Sequence, residues 1–102
     1  MITIYKYPII PGYGGFVDVQ GTVIQWLKID EQGDTYQVWA VVNIEDDAPI
    51  KKYVILAVGT GWELKHFEKM EYIDTAQEGP YVWHYFAFED KGEEVKDVDT
   101  ET

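Results

Sequence analysis

His66 and His84 are the only imidazoles in the chain. A zinc site draws three or four ligands from imidazole, thiolate and carboxylate. The chain has no cysteine, and two histidines far apart in sequence do not compose such a site. Nucleophilic catalysis through serine or cysteine is excluded, because neither residue occurs. Nineteen acids allow carboxylate pairs to be drawn almost at will, so a glycosidase-like pair carries no information. The run Glu45-Asp46-Asp47 lacks the spaced oxygen ligands of a calcium loop and reads as solvated charge. We expect no enzyme activity, no metal and no cofactor. His66 reads as a surface residue. His84 reads as a core-edge histidine bonded to backbone.

The triplet Gly59-Thr60-Gly61 raises phosphate binding, because glycine lets backbone N–H groups approach an anion. No full G-x-G-x-x-G and no Walker lysine accompany it. A tight turn that ends a buried strand accounts for it better. The ligand alternative is a nucleotide-signal sponge. Tyrosine and tryptophan, Trp62 among them, would stack on a base, while the turn of Gly59, Thr60 and Gly61, or else Lys51 and Lys52, would meet phosphate.

The charge balance sets the class of partner. Eight lysines and no arginine oppose the nineteen acids, for a net charge of −11. Such a surface repels phosphate backbones, so direct nucleic-acid binding is not expected. It favours a basic protein, or serves solubility alone. No apolar run approaches the ~18 residues of a membrane helix. The start, MITIYKYPII, has no signal-peptide cleavage pattern. The expected location is the cytoplasm.

The elements that must position these residues are mostly strands. ITIYKYPII (2–10) is rich in isoleucine and tyrosine, and Pro8 suits an edge or a strand end. PGYGG (11–15) is a loop. FVDVQGTVIQWLKID (16–30) reads as two short strands or as one strand with a bulge at Gly21. EQGDT (31–35) connects it to YQVWAVVNI (36–44) as a hairpin. The run from Tyr53 to Val58 predicts a strand covered on both faces. WELKHFEKM (62–70) is the only helix candidate, and a short one. Residues 71–88 read as a second hairpin around QEGP.

In YVWHYFAF (81–88), Tyr81, Trp83 and Tyr85 share one face. Val82, His84, Phe86 and Phe88 share the other. Bulk on both faces predicts a central strand, or an outer strand with one face inserted into a partner. The fold class is mainly β: an antiparallel, partly closed barrel or sandwich of about six to seven strands with at most one short helix. The domain is assigned to residues 1–88. Residues 89–102 read as an acidic, disordered tail.

Five segments, IYKYPI (4–9), VWAVV (38–42), VGTG (58–61), YIDT (72–75) and YVWHYF (81–86), occur in the order and approximate spacing of a small bacteriophage and prophage protein family. The chain resembles that family over about residues 2–88. The family is catalogued as a domain of unknown function. The resemblance implies a compact β-rich domain in phage-infected or lysogenic cells and no established activity. The chain departs from the family pattern at Trp62, where members usually carry histidine, at Asp74, where they usually carry glycine, and in the acidic tail.

The expected function is that of a small acidic phage-type accessory protein that binds a host protein, as an anti-defence inhibitor or nucleic-acid mimic. Asp30, Glu31, Asp34, Glu45, Asp46 and Asp47 lie near predicted loops and are expected to collect at one end. They would steer a basic partner, while Tyr13, Trp62 and Phe67 supply apolar anchors. A further alternative is a structural phage subunit or homo-oligomer, with strand 81–88 and the Pro8 strand pairing across a two-fold axis.

Overall fold

The computed structural model describes residues 1–91. Six strands form one continuous antiparallel sheet that curls into a half-barrel: β1 (Ile2–Ile9), β2 (Gly14–Gln32), β3 (Thr35–Ile44), β4 (Ile50–Gly59), β5 (Glu71–Glu78) and β6 (Tyr81–Asp90). Their order across the sheet is β1-β3-β2-β4-β6-β5. The helix candidate at 62–70 reduces to one 3-10 turn, Phe67–Lys69, entered through His66 in left-handed backbone with φ 61°. No helix among the described residues is long and apolar enough to cross a membrane.

β2 decides the shape. Residues 14–20 pair with β4, and residues 21–32 pair with β3. Gly21 is the pivot rather than the bulge. A Cβ there would sit 1.9 Å from the Asn43 carbonyl oxygen, at a φ of 135°. The pairing slips between Val23 and Gln25 and again between Trp26 and Lys28. Each slip is a bulge, which bends a strand and raises its twist. The extra residues, Ile24 and Leu27, turn outward and are exposed. One strand therefore serves two parts of the sheet and rolls them toward each other.

The core follows from period-two alternation. Val17 and Val19, Val38, Ala40 and Val42, Tyr53, Ile55 and Ala57, and Tyr85 and Ala87 all face inward and are buried. Each large side chain so buried contributes about 1.5–3 kcal/mol. The two buried phenols also meet orphan backbone donors. The Gly12 N–H donates to Tyr85 Oη at 3.0 Å, and the Val23 N–H donates to Tyr53 Oη at 3.0 Å. Burial pushes the Tyr85 hydroxyl above its usual range, with the Glu78 charge adding to the effect and the Gly12 bond opposing it.

Closure is completed by a side chain. A bulge in β5 after Tyr72 sets Asp74 beside the second half of β2. Asp74 Oδ2 accepts the Ile29 N–H at 2.9 Å, and Oδ1 accepts its neighbour's Thr75 N–H at 2.8 Å. β1 forms the other edge and carries Pro8, as its composition predicts.

Three boundaries differ from the sequence reading. β6 runs to Asp90, so Glu89 and Asp90 pair with Tyr53 and Lys52 and belong to the sheet. The rest of the expected tail, from residue 92, lies outside the described residues. β4 is not covered along both faces. Leu56 is 37% exposed, because the 60–70 segment shields the outer face only near Val58. β6 itself is paired on both sides, by β4 and β5.

Candidate functional site

The end of β4 carries the Gly59–Trp62 turn. The Trp62 N–H donates to the Gly59 carbonyl at 3.1 Å, and Gly61 takes φ 93°. The Trp62 N–H is thus spent inside the turn rather than turned toward an anion. The Trp62 indole folds back over Gly59, where any Cβ would stand 2.8 Å from its ring. Trp83 lies opposite Gly59 in the ladder. Its ring bears on Gly12, where a Cβ would stand 3.0 Å away. Two glycines thus make room for two indoles.

Trp62 and Trp83 meet edge to face, with centroids 5.6 Å apart and planes at 79°. Tyr81 stacks on Trp83 at 5.9 Å and 26°. Trp62 and Tyr81 remain 60% and 61% exposed. The tight β5–β6 hairpin sets Glu78 opposite Tyr81, and Glu78 Oε1 accepts the Trp83 indole N–H at 3.1 Å. Tyr13, next to Gly12 in the β1–β2 turn, is 63% exposed on the same rim.

The curl of β2 brings the β2–β3 hairpin to this rim. Tyr36 marks the junction. Burial raises its hydroxyl first, and the charges of Glu31, Glu78 and Asp30 raise it further. Asp30 already has an ion-pair partner: Lys28 Nζ donates to its Oδ2 at 2.9 Å. That bond, with the Glu31 N–H and the lysine charge, holds the Asp30 carboxyl below its ordinary range. Lys6 reaches the Gln32 side chain. Glu31, Asp34 and Glu78 have no ion pair among the described residues.

The model for a domain of unknown function, DUF7352, matches residues 1–96. The chain belongs to the DUF7352 family. No curated protein and no solved structure matches it. The DUF7352 match spans all six strands and with them the whole rim, from Gly12 to Trp83.

This DUF7352 chain does not gather all the acids expected at one end. Asp30 and Glu31 lie at the end of β2 and Asp34 in the turn before β3, whereas Glu45, Asp46 and Asp47 follow the last residue of β3. The strand between them spans roughly 30 Å. The second acidic group is folded into its own loop, where Gln20 Nε2 donates to the carbonyls of Asp46 and Ala48 at 2.8 and 3.2 Å.

The ligand set also divides. Lys51 donates to Thr22 Oγ1 at 3.2 Å, and Lys52 lies 5.3 Å over the Phe16 ring. Both belong to the start of β4, while Gly59, Thr60, Gly61 and Trp62 lie at its end. A strand of that length separates them by roughly 25 Å, so they do not form one phosphate site. Phe67 packs on the outer face against Phe86, with centroids 6.3 Å apart.

His84 is held by hydroxyls rather than by backbone. Its Nε2 lies 2.7 Å from Thr60 Oγ1, and its Nδ1 lies 3.0 Å from Thr75 Oγ1, which in turn meets Tyr72 Oη at 2.7 Å. The reason is its place on the outer face between the β4 turn and β5, where backbone groups are committed to the ladder. The chain Thr60–His84–Thr75 clamps the Trp62 turn to the sheet. Beside it is a shallow depression of about 220 Å³, floored by Val58 and Phe86 and walled by Trp62 and Leu64.

Glu78, Tyr81 and Trp83 are the rim residues that sequence reasoning left out of the site. The available signal was the QEGP hairpin, whose two-residue turn forces the residues before and after it to face each other.

Proposed function

We propose that this DUF7352 protein is a non-catalytic, acidic protein-binding module that takes a basic partner on the rim formed by the β1–β2, β2–β3 and β5–β6 turns and the turn that ends β4. In keeping with the sequence resemblance, the partner is a basic host protein, and the chain acts as a small phage-type accessory protein in the host cytoplasm, blocking a defence or nucleic-acid-handling factor. One observation carries the reading. Exposed Trp62 and Tyr81 stand together with Trp83 on the same rim as Glu31, Asp34 and Glu78, carboxylates with no salt bridge among the described residues. Aromatic rings concentrate interface energy, and a ring of like charge steers a partner of opposite sign.

The test is affinity capture from host lysate with the full chain and with a Glu31→Gln/Asp34→Asn variant. The expected result is retention of a basic protein that weakens with salt and is lost with the variant. Retention that ignores both salt and the variant would sink the reading.

A further inference from the structure

Glu78 differs from the other rim carboxylates in being fastened among rings. It is half-buried, gives one oxygen to the Trp83 indole, and has no salt-bridge partner among the described residues. A partly shielded carboxylate with no salt bridge gains a charge-assisted hydrogen bond from a ligand that brings the counter-charge. The rings narrow the choice. Aromatic faces carry the negative end of a quadrupole and attract cations. The Trp62 and Trp83 planes make a near-right-angled corner, with Tyr81 extending the Trp83 side.

A guanidinium suits this arrangement better than an ammonium. It is planar, weakly hydrated, and able to stack on a ring while donating N–H bonds to a carboxylate. The remaining Glu78 oxygen accepts no bond among the described residues. We propose that Trp62, Trp83, Tyr81 and Glu78 receive an arginine side chain of the protein partner. This rests on the protein-binding reading above and names the chemistry at its centre. Charge complementarity supports the choice of occupant, since the chain itself contains no arginine and carries −11.

The experiment titrates the full chain with a short arginine-rich peptide, a lysine peptide of equal charge and a neutral citrulline peptide. Indole N–H resonances report the contact. The arginine peptide is expected to shift the Trp62 and Trp83 signals and to bind about tenfold more tightly than the lysine peptide. The citrulline peptide is expected to leave both signals in place. Glu78→Gln keeps an acceptor for Trp83, and Trp62→Ala changes an exposed ring, so both variants retain the fold. Each is expected to weaken the arginine peptide about tenfold, while Glu45→Gln at the far end stays within about twofold.

Equal affinity for arginine and lysine peptides, or equal losses in Glu78→Gln and Glu45→Gln, would reduce the attraction to net charge and overturn the proposal. A captured partner that Glu78→Gln and Trp62→Ala retain undiminished would also overturn it, leaving the protein-binding reading intact. Selective peptide binding with no basic protein captured would uphold the arginine site and count against that reading.

Discussion

Replacing Tyr85 by Phe removes one oxygen and leaves the ring. No cavity opens, so the cost is that of the polar group alone. The Gly12 N–H loses the partner it has at 3.0 Å. A donor so stranded in a partly buried place costs about 1–3 kcal/mol. Urea unfolding near neutral pH should show a lower midpoint with an unchanged slope, since the surface exposed on unfolding is the same. The second signature is in pH. Burial raises the Tyr85 phenol above its ordinary 10.0 in the folded protein. The unfolded chain therefore loses that proton first. The contribution is complete below about pH 10 and declines as pH rises toward the folded value, at no more than ~1.4 kcal/mol per pH unit.

Phe does not titrate, so the stability gap between wild type and Tyr85→Phe should shrink as pH rises above about 10. The midpoint and its pH dependence can be read from urea curves at a series of pH values. An unchanged midpoint at neutral pH would refute the hydrogen-bond argument. A gap independent of pH across that range would refute the assignment of the raised phenol.

Asp74→Ala strands the Ile29 and Thr75 amides and should cost about 1–3 kcal/mol, with faster hydrogen exchange at Ile29 as the local sign that β5 has parted from β2. Gly21→Ala drives a Cβ to 1.9 Å from the Asn43 carbonyl oxygen at φ 135°; it should cost at least about 3 kcal/mol, measured by thermal unfolding, and a neutral result would disprove the pivot. Gly59→Ala places a methyl 2.8 Å from the Trp62 ring, which swings outward more easily than backbone moves; near-UV circular dichroism should lose the Trp62–Trp83 signal while the far-UV spectrum stays the same. The same Gly59 variant should weaken the arginine peptide about as much as Trp62→Ala, within about threefold.

Alternation and turn chemistry were enough to set out the strands. Val38, Ala40 and Val42 must share a face whatever they pack against, and the QGDT and QEGP turns pair their flanking strands by local backbone preference. The aromatic run at 81–88 could be divided into two faces, with Tyr85 on the side that became the core. Net charge needs no coordinates at all.

The rim is another matter, because residues there come from four turns that no local rule connects. The slips around Ile24 and Leu27 leave no mark in composition, yet they supply the bend that brings Tyr36 and Glu31 near Glu78. The two acidic groups, by contrast, stand apart simply because the ten-residue strand β3 lies between them. Side-chain type sets which face of a strand is apolar. Which strands become neighbours depends on twist and bulges summed over the whole sheet, and only the closed structure decides that.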